Sequence, residues 1–129
     1  MQEGEPVRCR VAACREMLGD GNTWSFYLIN DSDAALDSAV LLTVGYEWGD
    51  LGSSKTCNVR VHGLAPGANV RIWRDDDSGA EVRMDLSLLV HMRGREVRLQ
   101  FEFPKLYLQR TLPMVEGLGK PGWQEAAAG

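Results

Sequence analysis

The sequence predicts an all-β fold, a two-sheet antiparallel sandwich of about seven strands, on three observations. Short runs alternate apolar and polar residues with a period of two, turn signals recur every ten or so residues, and few stretches read as helices. The clearest run is Glu81 to Phe103. Val82, Met84, Leu86, Leu88 and Val90 alternate with polar residues, Arg93-Gly94 breaks the pattern, and Val97, Leu99, Phe101 and Phe103 resume it. A two-residue loop at Arg93-Gly94 pairs Val90 with Val97, Leu88 with Leu99, Leu86 with Phe101 and Met84 with Phe103, so inward residues meet inward residues. A lone hairpin is marginal in water, so a second apolar sheet must cover this one.

The remaining elements follow in order. Val7, Cys9 and Val11 mark a half-buried strand whose alternation slips at Ala12-Ala13, where a bulge or change of partner is expected. After the turn Gly19-Asp20-Gly21-Asn22, the run Trp24 to Ile29 is apolar on both parities, as in a central strand covered on both faces. From Ser38 the chain puts Val40, Leu42, Val44, Tyr46 and Trp48 on one parity, with a bend or close approach expected at Gly45. Gly49 to Lys55 reads as a loop, and Cys57, Val59 and Val61 as a strand with one wet face. Leu64-Ala65-Pro66-Gly67 places Pro and Gly for a type II turn, at which the chain is expected to cross between sheets. Val70 and Ile72 point inward on the next strand, with Arg71 and Trp73 outward. Beyond Phe103, Leu106 to Leu108 reads as an added edge strand. Residues 1–111 are thus the sandwich, and 112–129 a strap docking Leu112, Met114 or Trp123, or a flexible tail.

With 129 residues the chain fits one domain that needs no staples. A net charge of -4 argues against nucleic acid as partner. No run approaches 18 consecutive apolar residues, and the first residues are acidic and polar, so the chain is expected to be neither exported nor membrane-spanning. Three cysteines, Cys9, Cys14 and Cys57, cannot all pair within one chain, and this favours a reducing, cytoplasmic setting.

Phe26-Tyr27-Leu28-Ile29-Asn30-Asp31-Ser32, the Leu64-Ala65-Pro66-Gly67 turn before Val70-Arg71-Ile72 and the final hairpin resemble immunoglobulin-like or fibronectin-type-III-like domains of bacteria. The resemblance covers roughly Val7 to Phe103 and implies an immunoglobulin-like sandwich. The Cys-Trp-Cys core of antibody domains is missing. Asn30-Asp31-Ser32 and Lys105-Leu106-Tyr107 also resemble an uncharacterised β-sandwich domain that accompanies Smr-type nuclease domains in some bacteria. Neither resemblance carries over a catalytic residue, so function must be argued from a site.

Chemical motifs are sparse. Cys57 and His62 are five apart on one strand, which sends them to opposite faces and excludes a nucleophile pair. His91 faces Glu96 across the hairpin, a surface contact. No Cys-x-x-Cys, His-Glu-x-x-His or Gly-x-Ser-x-Gly occurs, and Gly117 to Pro121 lacks phosphate-loop spacing. Asp75, Asp76 and Asp77 with Asp31 and Asp33 would hold calcium only if their loops met at one end of the sandwich; a solvated turn is the simpler reading. Trp24, Tyr46 and Trp48 are assigned to the core. Arg8, Arg10, Arg83 and Arg98 are scattered on polar faces and balanced by Glu81, Asp85 and Glu102.

One face stands out: Arg60, His62, Arg71 and Trp73 share the wet parity of two consecutive strands, a partner-binding face if those strands pair. The function expected is a non-catalytic interaction module, not an enzyme, with no cofactor or metal. It binds a protein partner or neighbouring domain through a sheet face or edge. The alternatives are a carbohydrate-binding module using an exposed Trp, and a small enzyme with an unrecognised site.

Overall fold

The computed structural model describes residues 6–18, 21–76, 80–109 and 111–127, without the side chains of 17, 18, 21 and 22. Its strands are β1 (Cys9–Leu18), β2 (Gly21–Asn30), β3 (Leu36–Trp48), β4 (Leu51–Leu64), β5 (Asn69–Asp76), β6 (Arg83–Met92), β7 (Arg95–Phe103), β8 (Met114–Val115), β9 (Lys120–Pro121) and β10 (Trp123–Ala126). Sheet A runs β10-β1-β2-β5, sheet B runs β4-β3-β6-β7, and β8 with β9 makes a small ribbon. Every pairing is antiparallel. Val11, Phe26 and Leu28 of sheet A and Leu41, Leu86 and Phe101 of sheet B belong to one buried core, so the fold is an all-β sandwich. Phe26 meets Phe103 edge to face across the two sheets, with ring centroids 5.3 Å apart. Among the described residues no helix is long and apolar enough to cross a membrane.

The hairpin register is the one its apolar period dictates: Val90 pairs with Val97, Leu88 with Leu99, Leu86 with Phe101 and Met84 with Phe103. Arg93 and Gly94 both have positive φ, 52° and 74°, the backbone of a two-residue turn whose twist suits antiparallel strands. Gly67 has φ 78°, and Ala68 N–H donates to the Ala65 carbonyl at 3.0 Å. The Pro-Gly turn carries the chain from β4 in sheet B to β5 in sheet A, the crossing expected of a turn that splays antiparallel strands.

Several elements differ from expectation, each for a local reason. β1 pairs with β2 without a slip from Cys9 to Leu18, so there is no bulge at Ala12-Ala13. Ala12 and Cys14 are apolar on the outer parity because that face is also covered. The register slips instead in β3, between Leu41 and Thr43, against both of its neighbours. Ala39 and Leu41 enter the core before the slip and Val44 and Tyr46 after it; Leu42 is the extra residue against β6, whereas against β4 the extra residue lies on β4, between Val59 and Thr56. The expected loop at Gly49 to Lys55 is strand: Trp48 pairs with Leu51 around a tight turn at Gly49-Asp50. Trp48, assigned to the core by parity, is exposed at the hairpin tip. Leu106 to Leu108 form a 3-10 turn that drops Leu106 into the core, not an edge strand.

The C-terminal segment belongs to sheet A. β10 pairs with β1, and Val115 and Leu118 pack on Ala12 and Ile29 over the sheet's outer face. Leu112 and Trp123 pack against the core, whereas Met114 is exposed. Gly122 permits the closest approach: a Cβ there would lie 2.8 Å from Cys14 Sγ and 2.9 Å from the Ala13 carbonyl oxygen. Two polar clusters fasten this cover. Arg10 donates to both Asp31 carboxylate oxygens, to Gln124 Oε1 at 2.7 Å and to the Glu116 carbonyl at 3.1 Å. Lys120 Nζ donates to Glu16 at 2.7 Å and to Tyr27 OH at 2.9 Å, and that hydroxyl donates to Glu16 at 3.0 Å.

Asn30 explains why its neighbourhood is so polar in an apolar strand. Fully buried, its Nδ2 donates to the carbonyls of Ala34 and Leu64, at 2.9 and 3.0 Å, and its Oδ1 accepts from Ser32 N–H at 2.9 Å. Ser32 Oγ in turn bonds the Arg8 backbone. Asn30-Asp31-Ser32 is a structural knot tying the β2–β3 loop to the ends of β1 and β4.

Candidate functional site

The face expected from Arg60, His62, Arg71 and Trp73 does not form, because β4 and β5 lie in different sheets. Arg60 and His62 point outward from β4 opposite Val40 and Ser38 of sheet B, while Arg71 is exposed on the edge strand of sheet A. Trp73 is turned by a second register slip, between Phe26 and Tyr27, that sets it opposite Phe26. It packs half-buried against the core and donates Nε1–H to Asp75 at 3.2 Å. The acidic loops do not meet either. Asp31 follows the last residue of β2, whereas Asp75 pairs with Trp24 near its start. Asp31 is held by Arg10, and Asp75 accepts from Tyr46 OH at 2.5 Å; Asp77 lies outside the described residues. Burial and the Asp75 carboxylate both push the Tyr46 phenol above its ordinary value.

With the outer face of sheet A covered by the chain itself, the outer face of sheet B is the broad surface left open. Alternation in its four strands places the side chains in cross-strand rows. His62, Ser38, His91 and Glu96 form the first. Arg60, Val40, Leu89 and Arg98 form the second, and Thr56, Thr43, Ser87 and Gln100 an uncharged third. Ser54, Gly45, Asp85 and Glu102 form the fourth, beyond which Glu47 pairs with Arg83. Arg60 and Arg98 thus stand towards one end of the face with the His91–Glu96 pair, and Asp85 and Glu102 towards the other with the Glu47–Arg83 pair.

A groove of about 420 Å³ opens at the acidic end. Asp85 and Glu102 line it with Glu47 and Arg83, and Pro104 and Leu108 give it an apolar wall. Leu106 anchors that wall by burying itself beneath the 3-10 turn, which leaves Tyr107 and Leu108 exposed. The Asp85 carboxylate lies over Gly45, where a Cβ would sit 2.6 Å from Oδ1 and 2.8 Å from Oδ2. The close approach expected at Gly45 is therefore a carboxylate's. Burial raises the pKa of Asp85 above its ordinary value, and the charges of Glu102 and Glu47 raise it further. Two carboxylates directly opposite on paired strands are unfavourable, and among the described residues neither has an ion-pair partner: Arg83 reaches Glu47, at 3.9 Å, and Lys105 lines the same groove without pairing with either. Such an uncompensated pair in a groove marks a place where an incoming cation would gain most. An aliphatic stem on Leu108 with a guanidinium or ammonium on the carboxylates fits its chemistry.

The first row carries the residue types of a nucleophilic site. His91 Nδ1 lies 3.2 Å from Ser38 Oγ, and its Nε2 lies 2.9 Å from Glu96 Oε2. The His91–Glu96 contact is the one expected from the hairpin register, while Ser38 enters through the β3 pairing. The row lies on an open sheet away from the groove. β3 and β6 are paired on both sides, so their backbone N–H groups serve the ladders and cannot converge on an oxyanion. Thiol chemistry is no better placed: burial pushes Cys9 up to about 12 and Cys14 up to about 11, and it raises Cys57 as well. Among the described residues no three His, Cys, Asp or Glu side chains are grouped to hold a metal ion.

Asp85 and Glu102 were legible in the sequence only as charges balancing arginines; their opposition follows from the hairpin register and could have been read from it. A second, shallower hollow of about 260 Å³ lies at the β3–β4 tip, lined by Tyr46, Trp48, Lys55 and Asp75. Lys55 Nζ sits 5.5 Å from the Tyr46 ring centre there. In comparisons with known proteins, no family model matches the chain, and no curated protein matches it significantly.

Proposed function

We propose that this chain is a non-catalytic β-sandwich interaction module that binds a protein partner through the outer face of sheet B. The observation that carries the reading is the unequal treatment of the two faces. The C-terminal segment buries Ala12 and Ile29 on sheet A, while sheet B presents a polar surface and a groove in which the opposed carboxylates of Asp85 and Glu102 have no ion-pair partner among the described residues. A basic side chain of the partner seats on Asp85 and Glu102, relieving a repulsion that the isolated chain carries. Immunoglobulin-like kinship is supported by the strand order, with β1, β2 and β5 in one sheet and β4-β3-β6-β7 in the other. A cytoplasmic setting is supported by three free cysteines, two of them buried.

A photo-crosslinking side chain at Gln100, in the middle of the face, tests the reading against one at Arg71 on sheet A. In cells, the Gln100 probe captures protein and the Arg71 probe does not; the reverse pattern rejects the face. The exposed Trp48 beside the Tyr46 hollow favours carbohydrate binding as a second reading. Quenching of tryptophan fluorescence by an oligosaccharide, lost in Trp48→Ala, would establish it.

A further inference from the structure

We infer that the β8–β9 ribbon is a lid on the outer face of sheet A, one that lifts about its two ends while the sandwich beneath stays folded. The lid lies on the covered side of the molecule, so it is independent of the binding face on sheet B. Its two flanks are the fixed points. Leu112 before it, and Trp123 and Ala127 after it, pack against the main core, and β10 pairs with β1 from Trp123 to Ala126. Residues 113–122 lie between these anchors and give no apolar side chain to that core.

The ribbon is closed on itself. Met114 pairs with Pro121 and Val115 with Lys120, Gly122 N–H donates to the Pro113 carbonyl at 2.9 Å across the base, and the N–H groups of Leu118 and Gly119 donate to the Val115 carbonyl at 3.2 and 3.1 Å. These bonds survive when the ribbon lifts as one piece, so the movement sacrifices no backbone pairing inside it. What holds it down is small and mostly at the surface. Val115 and Leu118 rest on Ala12 and Ile29 in an apolar cluster separate from the main core. Lys120 reaches Glu16 and Tyr27, the Glu116 carbonyl accepts from Arg10, and the Gly117 carbonyl accepts from Asn69 Nδ2 at 3.2 Å. With the Lys120 and Glu16 side chains 44% and 20% exposed, solvent screens that pair. A segment with few buried apolar contacts and exposed polar bonds opens before the whole domain does.

Lifting the ribbon uncovers a defined surface. Ala12 and Ile29 lose Val115 and Leu118, which leaves an apolar strip of Ala12, Cys14 and Ile29 bordered by Tyr27 and by a Glu16 freed of its cation. Cys14 is buried in the closed state, its sulfur 2.8 Å from where a Cβ on Gly122 would stand, with a Val115 methyl 3.2 Å from the same point. The bare backbone of Gly122 is what lets the ribbon seat on the thiol. Cys14 is therefore a native reporter of the lid, sealed while the ribbon is seated and open to a reagent once it lifts.

Alkylation of the full chain with N-ethylmaleimide, quenched over time and read peptide by peptide in a mass spectrometer, measures the lifting at Cys14. Tryptophan fluorescence in urea gives the global unfolding constant of the same sample. Cys14 is labelled at least about a hundredfold faster than global unfolding allows, and its rate changes little with urea below the transition, because lifting the ribbon exposes little surface. Lys120→Met keeps the stem of the side chain and removes its charge, so Cys14 is labelled about fivefold to tenfold faster. Leu118→Ala acts in the same direction by weakening the apolar contact. A Cys14 rate equal to the one set by global unfolding, with the same urea slope, overturns the inference. So does a rate that Lys120→Met and Leu118→Ala leave within about twofold of wild type, because the reagent would then reach Cys14 with the ribbon still seated.

Discussion

Substituting Gly45 by Ala tests whether the groove is built around a carboxylate resting on bare backbone. An added Cβ would lie 2.6, 2.8 and 2.9 Å from Oδ1, Oδ2 and Cγ of Asp85, closer than real Cβ contacts come, so Asp85 must swing away. Glu102 stands opposite on β7, so like charges oppose a swing that way. Overpacking of this kind costs about 1 to 3 kcal/mol. Replacing a strand glycine returns roughly 0.5 to 1 kcal/mol, which leaves a net loss of about 1 kcal/mol. For a chain of this size that lowers Tm by roughly 3 to 5 °C. In an Asp85→Ser background the short side chain leaves room, and the same Gly45→Ala becomes neutral or stabilising. The cycle therefore yields a coupling of about 1 to 2 kcal/mol, read from urea midpoints at constant m. Equal effects of Gly45→Ala in both backgrounds, within about 0.3 kcal/mol, would refute the placement of Asp85 over Gly45.

Asp85→Asn removes the repulsion while keeping the shape, and it stabilises the chain by about 0.5 to 1 kcal/mol at neutral pH. Because the folded carboxyl titrates above its ordinary 3.8, its contribution is full below that pH and is lost as pH rises through the folded value. The advantage of Asn therefore fades in acid, which thermal unfolding across pH checks. Glu16 behaves oppositely. Burial works to raise its pKa, but the bonds from Lys120 and Tyr27 outweigh burial and hold the carboxyl at about 2. After allowance for solvent screening, Glu16→Gln costs about 1 to 2 kcal/mol at neutral pH. That difference disappears as pH falls from about 4.5 to about 2, a window open to denaturant titration. Asn30→Ala strands the carbonyls of Ala34 and Leu64 and the N–H of Ser32, at a cost of about 2 to 4 kcal/mol. A loss below about 1 kcal/mol would contradict the structural role assigned to Asn30.

Period and turn chemistry were sufficient where they agreed. Leu86 and Phe101 met in register because Arg93-Gly94 allowed one two-residue turn, and Pro66-Gly67 sent the chain across to the other sheet. Parity failed wherever a residue was added, and a slip leaves no mark in composition. Leu42 reversed the faces of β3, and the slip opposite Phe26 turned Trp73 towards the core. Trp48 kept inward parity yet lies exposed at a hairpin tip. The candidate face was hidden for a different reason: it is a property of which sheet each strand joins and which face the C-terminal segment covers. Ala12 and Ile29 look like errors of alternation until Val115 and Leu118 are seen to lie on them. Asp85 and Glu102 read as ordinary surface charges until cross-strand pairing sets them side by side.

Carbodiimide labelling of carboxylates, compared between the isolated chain and the chain in its native assembly, tests the binding face most directly. Glu47, Asp85 and Glu102 are expected to be protected several-fold in the assembly, with Glu116 on the covered side labelled equally in both. Unchanged labelling of the three groove carboxylates in an assembly that protects other surfaces of the chain would contradict it.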